Sequence, residues 1–470
     1  MFRCNTVKST VLGISSQCRC DSKYATFVFE DKWNAFSSSG TLQPLSDIVD
    51  PLQIRKVQKG DLEQECFLVN ISDQEPRNGI LDLENISKVA AINSDKNILT
   101  HCDLLVSKLG MPRGYIFQNP ALYSELIGSS EFIPYKLKHS NLLFWTQYLL
   151  LSEQMRSAYA CLETGKTPSH KRVNPEEFLK IRVPVVSNFE AVQKANAEIA
   201  DCVNAIKKLQ TSRQNIGEII DRVFQSEFHF DFETFKHLRS KKRYCISSCK
   251  ISDNPDLRFS VKFHRESGAY VMDQLSKVAN KRIKHFLAEP IILGASISPS
   301  DYSANGDYSY ISMATIKNWA FEIESASTVS PEYAEAKQAK TVKKNDIIMA
   351  RSGEGTIGKV AMITQDDIQG IFADFTMRIR LQNYNPEFAY YYFRTTFFQY
   401  LIEIYKKGLG NNTNIFPIVV QELPLIDISL DEQQRIVNSI HKEVEKQDKI
   451  ESEIIYLRRQ IDDIITQTIQ

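Results

Sequence analysis

The stretch NDIIMAR, residues 345–351, is a short apolar run bounded by polar residues, and a related stretch, CDLLVSK, occupies residues 102–108. The two lie 243 residues apart, counted from residue 102 to residue 345. Three more pairs of segments recur in the same order: LSDIV at 45–49 with LSKVA at 275–279, LKIRVP at 179–184 with LP at 423–424, and FEAVQ at 189–193 with LDEQQ at 430–434. Their offsets are 230, 240 and 241 residues. Four collinear matches indicate an internal repeat, in which each half is one globular unit followed by one long helix.

The globular units are predicted to contain more strand than helix. The runs at 346–350 and 359–364 have the length and apolar content of strands, and glycines between them mark a turn. Segment 387–405 is aromatic-rich and of helical length, and segment 142–159 is its counterpart in the first half. The predicted fold class is therefore α+β, with two strand-rich domains in tandem.

Each half ends in a predicted long helix, the first from about Asn188 to Phe228 and the second from Asp431 to the C-terminus. Their apolar residues form two heptad rows each: Val192, Ile199, Ile206, Ile220 and Ala195, Cys202, Leu209, Ile216, Val223 in the first; Ile440, Ile454, Ile461 and Ile450, Leu457, Ile464 in the second. Such two-row seams are typical of coiled coils, so we expect the helices to pair antiparallel. The alternative is two unrelated amphipathic helices, each packed on its own domain.

Signals for the start of each helix support this interpretation. Ser187 or Asn188 precedes the first helix, and Ser429 with Glu432 fits a capping box before the second. Polar residues interrupt one row in each helix, at Arg213 and Gln447.

The charge and cysteine content of the chain exclude few classes of protein. The 57 Lys and Arg residues balance 57 Asp and Glu residues, and DNA binding depends on local basic surface rather than on this total. Of nine cysteines, Cys18 with Cys20 and Cys245 with Cys249 are closely spaced, but neither pair has the partners that a zinc site needs. We expect free thiols, no metal and a cytoplasmic protein, because no signal-peptide pattern or membrane span is evident.

Motifs for catalysis are weak. The run from Gly353 to Lys359 fits G-x4-G-K, but Val360 follows where a phosphate loop needs Ser or Thr and a helix. None of the four Asn-Pro pairs continues as the N-P-P-[YF] of an adenine methyltransferase. We therefore expect no cofactor and no catalytic residues.

Four segments resemble the specificity (S) subunits of type I restriction–modification systems. They are NDIIMARSG with TIGKVA (345–353 and 356–361), GKTPSH continuing to VP (165–170 and 183–184), LPL with DEQQRIV (423–425 and 431–437), and YISM (310–313). The resemblance implies a non-enzymatic subunit with a target-recognition domain at 1–186, a central helix at 187–228, a second target-recognition domain at 229–427 and a C-terminal helix at 428–470. It also implies that the domains read a bipartite, asymmetric DNA site, that the helices dock two methyltransferase subunits, and that a motor-nuclease subunit joins the complex.

Candidate DNA contacts lie before each long helix, in equivalent places of the repeat. They are Lys166, Thr167, Ser169, His170, Lys171 and Arg172 in the first half, and Lys406, Lys407, Asn411, Asn412, Thr413 and Asn414 in the second, with Arg351 in addition. Lys and Arg can neutralise phosphates, Asn can bind adenine, and Arg can bind guanine. The alternative is that these are solvated loops.

Two other functions remain open at this point. One is an enzyme, either a stand-alone methyltransferase or a reader linked to a nuclease, and the other is a coiled-coil interaction protein that does not bind DNA. An assay for methyl transfer tests the first, and salt-dependent DNA binding tests the second.

Overall fold

A computed structural model describes residues 19–469, apart from 20, 35, 37–40, 61, 63–64, 124, 168–169, 253–257, 354 and 409–411. Two of the candidate DNA contacts, Ser169 and Asn411, and much of segment 1–40 lie outside the described residues. The chain forms two compact units. Unit 1 comprises residues 1–212 and 450–470, and unit 2 comprises residues 213–449.

Unit 1 contains eleven described strands and five described α-helices. The strands are β1 (Leu42–Pro44), β2 (Val49–Pro51), β3 (Lys56–Val57), β4 (Cys66–Val69), β5 (Ser87–Val89), β6 (Lys96–Ile98), β7 (Leu104–Ser107), β8 (Ile116–Gln118), β9 (Leu126–Ser129), β10 (Phe132–Leu137) and β11 (Arg182–Pro184). The helices are α1 (Ser22–Phe29), α2 (Leu143–Leu151), α3 (Glu153–Leu162), α4 (Pro175–Lys180) and α5 (Phe189–Thr211).

Unit 2 is built from a second series of elements. Its strands are β12 (Lys281–Arg282), β13 (Ile292–Leu293), β14 (Tyr308–Ile311), β15 (Ile316–Lys317), β16 (Ala320–Phe321), β17 (Thr328–Val329), β18 (Ile347–Ala350), β19 (Val360–Met362), β20 (Gly370–Phe372), β21 (Thr376–Ile379) and β22 (Pro424–Leu425). Its helices are α6 (Ile216–Phe228), α7 (Phe232–Ser240), α8 (Ser248–Ser252), α9 (Glu266–Ser276), α10 (Pro331–Ala336), α11 (Pro386–Arg394), α12 (Thr396–Tyr405) and α13 (Pro417–Val420). The last helix, α14 (Leu430–Ile469), begins in unit 2 and ends in unit 1.

Two sheets and one parallel strand pair of unit 1 recur in unit 2. A two-stranded sheet pairs β1 with β11 in unit 1 and β12 with β22 in unit 2. A four-stranded antiparallel sheet has the order β2-β10-β7-β8 in unit 1 and β13-β21-β18-β19 in unit 2. A second sheet contains one parallel pair in each unit, β4 with β9 and β14 with β20. The α+β fold with a tandem repeat is thus confirmed.

The stretches that first indicated the repeat are the inner strands β7 and β18. Successive side chains of a strand point to opposite faces, and in β18 Ile347 and Met349 join one apolar cluster while Ile348 and Ala350 join another. Both faces of the strand are therefore buried, which explains why the run is apolar throughout rather than alternating.

The acidic residue that precedes each of these strands has a structural partner. Asp346 accepts hydrogen bonds from Arg380, and Asp103 pairs at 2.7 Å with Lys136. Arg380 lies beside β18 at the position that Lys136 occupies beside β7. The same ion pair therefore occurs in both units.

The long helices pair as predicted, although the first is not continuous. In unit 2, Glu227 contacts Arg435 at 2.5 Å and Arg222 contacts Glu443 at 3.2 Å, so α6 and the first part of α14 run antiparallel. In unit 1, α5 packs with Ile454, Ile461, Ile465 and Ile469 of the same helix.

The prediction of one helix from Asn188 to Phe228 is wrong, because the chain leaves the helix between Thr211 and Ile216. Asn215 caps the new helix by accepting the N–H of Gly217, and the N–H of Gln214 donates to the Gln447 side chain at 2.8 Å. The polar positions that interrupted the heptads therefore mark the break. Ile216, assigned to the seam, is correspondingly 36% exposed.

Two further details of the repeat differ from the prediction. Segments 142–159 and 387–405 each form two helices, because Ser152 and Thr395 cap a second helix with their hydroxyl groups. The pairing of segment 45–49 with 275–279 is also wrong. Leu45 follows β1 and donates to Ile181 O, whereas the residue that follows β12 and donates to Leu423 O in the same way is Ile283.

Candidate DNA interface

Loop 1, residues 164–172, is closed by backbone hydrogen bonds. Arg172 pairs with Thr164 in an antiparallel bridge, with N–O distances of 2.8 and 2.9 Å, and it also bridges to Leu109, just beyond β7. Gly110 N adds a bond of 3.2 Å to Lys171 O. The inner strand of the sheet therefore fixes the base of this loop.

Loop 2, residues 407–414, is closed in the same manner in unit 2. Asn414 pairs with Lys407 through two bonds of 2.8 Å and bridges to Ser352, just beyond β18. Gly353 N donates to Thr413 O at 3.3 Å. The two loops are thus structurally equivalent, as the repeat predicted.

A glycine begins the turn in each loop. Gly165 has a φ of +126°, and a Cβ there would lie 2.2 Å from His170 O. Gly408 has a φ of +106°, and a Cβ there would lie 2.2 Å from Asn412 O. Any side chain would clash with the returning backbone, so both loops depend on glycine at this position.

A second glycine turn lies beside each loop. In unit 2 it runs from Gly353 to Gly358, both with positive φ, and leads through Lys359 into strand β19. Because a strand rather than a helix follows, no helix N-terminus faces the turn to receive phosphates, and the phosphate-loop interpretation does not apply.

The structure differentiates the predicted contact residues by exposure. The exposed side chains are those of Lys166, Thr167, His170, Lys407 and Asn412. The half-buried ones are those of Lys171, Arg172, Arg351, Lys406 and Asn414, and Thr413 is only 4% exposed. The Thr413 side chain therefore faces the interior of unit 2, which does not favour a base contact. Within loop 1, Thr167 Oγ1 lies 2.7 Å from His170 Nδ1.

Arg172 is engaged inside unit 1. Its guanidinium forms a bidentate pair with Glu131, with bonds of 2.8 and 2.9 Å, and Lys108 lies 3.8 Å from the same carboxylate. Burial raises the pKa of Glu131, but the hydrogen bonds from Arg172 and the charges of Lys108 and Arg172 outweigh it and hold the pKa below its ordinary value. The Arg172–Glu131 pair is a clamp that holds loop 1 on the sheet.

Unit 2 has an aromatic residue in place of this clamp. Arg351 N donates to Phe375 O as Lys108 N donates to Glu131 O, which places Phe375 at the position of Glu131. The Phe375 ring is 48% exposed, and the Arg351 guanidinium lies 5.9 Å from its centre. Sequence reasoning missed both Glu131 and Phe375, because neither lies in a basic or polar run.

Replacing Glu131 with Gln should loosen loop 1. We expect a local loss of about 1 kcal/mol, since Arg172 is partly exposed and solvent screens the pair. The folded-state pKa is depressed, so the stabilisation is present above the unfolded pKa of about 4.3 and is lost as the pH falls through the folded value. Hydrogen exchange of residues 164–172 should accelerate in E131Q at pH 7, whereas the surface variant E176Q should leave it unchanged. Equal exchange in both variants would show that the clamp does not hold the loop.

The described residues also bear on possible metal sites and membrane-spanning helices. Within the described part of the chain, no group of three or more His, Cys, Asp or Glu residues could hold a metal ion. Cys245 and Cys249 are exposed free thiols, and Cys18 and Cys20 lie outside the described residues. None of the described helices is long and apolar enough to cross a membrane.

Comparison with known proteins gives a family match for part of the chain. Residues 287–456 match the family model of the type I restriction modification DNA specificity domain. No curated protein matches the chain. Among solved structures it is similar to the type I restriction-modification S subunit from M. genitalium, with 13% identity, 91% of this chain and 95% of that chain covered, and a TM-score of 0.44.

Two other solved chains are similar to this one. The HsdS subunit from Thermoanaerobacter tengcongensis shows 12% identity, covers 91% of this chain and 96% of its own, and has a TM-score of 0.29. A chain from a structure of complex assembly and conformational transition of the type I R-M system shows 13% identity, covers 92% of this chain and 97% of its own, and has a TM-score of 0.42.

The family match covers 170 of the 470 residues, and three of the four segments that resemble S subunits lie within it. It bears out the resemblance to the specificity subunits, and it favours a DNA-recognition subunit over a coiled-coil protein that does not bind DNA.

Proposed function

We propose that the chain is the non-catalytic reader of a type I restriction–modification complex, and that each unit reads one half of a bipartite, asymmetric DNA site. The observation that carries this proposal is the pair of equivalent loops on one repeated scaffold. Loops 1 and 2 share their closing bridges and their glycine turn, but they differ in the side chains that they expose. Two loops that share a backbone conformation but expose different side chains are suited to reading two different base sequences.

The residues proposed to reach DNA are those with exposed side chains on the loops. Lys166, Thr167 and His170 belong to loop 1, and Lys407 and Asn412 belong to loop 2. Lys can contact phosphate or guanine, whereas Asn favours adenine, so the half-sites should differ in composition. Ser169 and Asn411 stay candidates of the same kind. The boundaries 1–186, 187–228, 229–427 and 428–470 stay part of the proposal.

The paired helices are proposed to dock two methyltransferase subunits, through which a motor-nuclease subunit joins the complex. Ile455 and Tyr456 on α14 are 42% and 54% exposed, next to the buried Ile454. Adjacent exposed apolar side chains on a helix are suited to contact with a partner protein. The S-adenosylmethionine chemistry would then belong to the partner, and we expect the purified chain to show no methyl transfer. As a DNA reader the chain should act in the cytoplasm.

Mapping of methylated bases tests this function. The complex of chain and methyltransferase should methylate DNA at a site with two unlike blocks separated by a spacer of free sequence. The chain alone should bind DNA weakly, because a net-neutral protein attracts phosphates little. A single continuous palindrome would contradict two-unit reading, and methyl transfer by the chain alone would contradict the non-catalytic role.

A further inference from the structure

A basic cleft of about 430 Å³ opens in unit 2, next to loop 2. Four cations line it, Arg239, Lys262, Lys359 and Lys406, together with one carboxylate, Glu403. Arg239 and Lys262 both contact Glu403, at 3.0 and 3.4 Å. The side chain of Lys359 forms no ion pair or hydrogen bond with any described residue. Among the described residues that line the cleft, the cations therefore outnumber the carboxylates.

The repeat shows that the fold itself does not require these charges. Lys359 O accepts from Ala350 N as Tyr115 O accepts from Ser107 N, so Tyr115 takes the place of Lys359 in unit 1. Lys406 ends helix α12 as Glu163 ends helix α3. The same scaffold thus forms with a tyrosine and a glutamate at these positions. Since clustered cations repel one another, the lysines at these two positions of unit 2 indicate an anionic ligand.

We propose that the basic cleft binds backbone phosphates of the DNA beside the half-site read by loop 2. This inference rests on the proposed function and extends it to a phosphate contact by lysines that unit 1 replaces with Tyr115 and Glu163. Lys406 directly precedes loop 2, so a DNA strand whose bases meet the loop can run its phosphates along the cleft. The stacking of Arg239 on the Tyr400 ring, 5.3 Å from its centre, orients one cation.

Free nucleotides fit the cleft less well than a polymer. The glycine turn that ends at Lys359 leads into a strand rather than into the helix that follows the turn of a phosphate loop. Glu403 is already held by two cations and is not free to bind Mg²⁺. Several cations along an open groove can contact more than one backbone phosphate.

The test measures the salt dependence of DNA binding by the chain in complex with its methyltransferase. Each lost phosphate contact should reduce the slope of log K against log[salt] by about 0.9. We therefore expect K262Q and K359Q each to lower the slope by about that amount, and the double variant by about twice as much. Binding should weaken equally on DNA with an intact or an altered second half-site. Replacing the contacted phosphate by an uncharged methylphosphonate should mimic K359Q and add nothing to it.

Matched controls separate the cleft from general surface charge. K317Q and K344Q remove lysines of unit 2 that are about as exposed as Lys262 and that pair with Glu322 and Asp366 outside the cleft. Their slopes should equal that of the unmodified complex, and circular dichroism should show all variants folded. If the cleft variants keep the full slope while the unmodified complex still binds its site specifically, the cleft inference alone fails. If the unmodified complex shows no specific site, the proposed function fails. Loss of ATP or pyrophosphate binding in K359Q with an unchanged DNA slope would assign the cleft to a free phosphate ligand and overturn the proposal.

Discussion

Replacing Asp346 with Asn should destabilise unit 2 by about 3 kcal/mol. The Asp346 side chain is 1% exposed and accepts two bonds of 2.7 Å from Arg380 and one of 2.8 Å from Lys343 N. An amide of the same size loses the charge and turns its NH₂ group towards the guanidinium. The expected loss lies at the lower end of the range for a broken buried pair, because Arg380 is 21% exposed and also contacts Glu289 at 3.1 Å. Hydrogen exchange of strand β18 should report this loss.

The equivalent pair in unit 1 provides the control for this prediction. Asp103 is 16% exposed and its partner Lys136 is 51% exposed, so water can replace the lost contact. Replacing Asp103 with Asn should cost about 1 kcal/mol or less, measured by exchange of strand β7. A loss in D346N no larger than in D103N would show that burial of the pair does not set its contribution.

The second large effect concerns the bases read by unit 2. Replacing Asn411 and Asn412 with Ala should relax recognition of the second half-site only. Each lost bidentate contact to adenine costs about 1–3 kcal/mol of discrimination, or roughly 5-fold to 150-fold in preference for the correct base. Methylation sequencing of the variant complex should show substitutions tolerated in one block of the site, while the other block stays unchanged.

A lysine variant of the same region gives the comparison. Replacing Lys406 and Lys407 with Gln should weaken binding to all sequences and lower the salt slope, without relaxing either half-site. If the asparagine variant relaxes the first half-site instead, the assignment of loop 2 to the second half-site is wrong. If neither pair of changes has an effect, these four residues of loop 2 and its entry are solvated surface.

Sequence reasoning located the repeat because the inner strands must be apolar on both faces. Both stretches, residues 102–108 and 345–351, show this apolar pattern although most of their residues differ. Asn345 stands where the family stretch has glycine, and its φ of +70° is one that asparagine tolerates better than most residues. The capping box predicted at the start of α14 is also present, because Ser429 and Glu432 form its hydrogen bonds.

Other features could not be predicted from local patterns. The break between α5 and α6 depends on Gln447, which is more than 200 residues away in the chain. The clamp on Arg172 depends on Glu131 from the neighbouring strand, and the exposure of Phe375 depends on the turn between β20 and β21. The basic run of loop 1 looked uniform in sequence, yet one of its cations is paired and others are exposed.

The sequence by itself determined the tandem organisation, the strand-rich units, the helical pairing and the family class. Periodic burial and helix capping depend on residues that are close together in the chain, so a sequence pattern predicts them. Only the tertiary structure decided which loop side chains face solvent, which are held by ion pairs, and where four cations meet in one cleft. Those outcomes depend on contacts between residues distant in the chain, because charge and burial at a site are set by whatever the fold brings beside it.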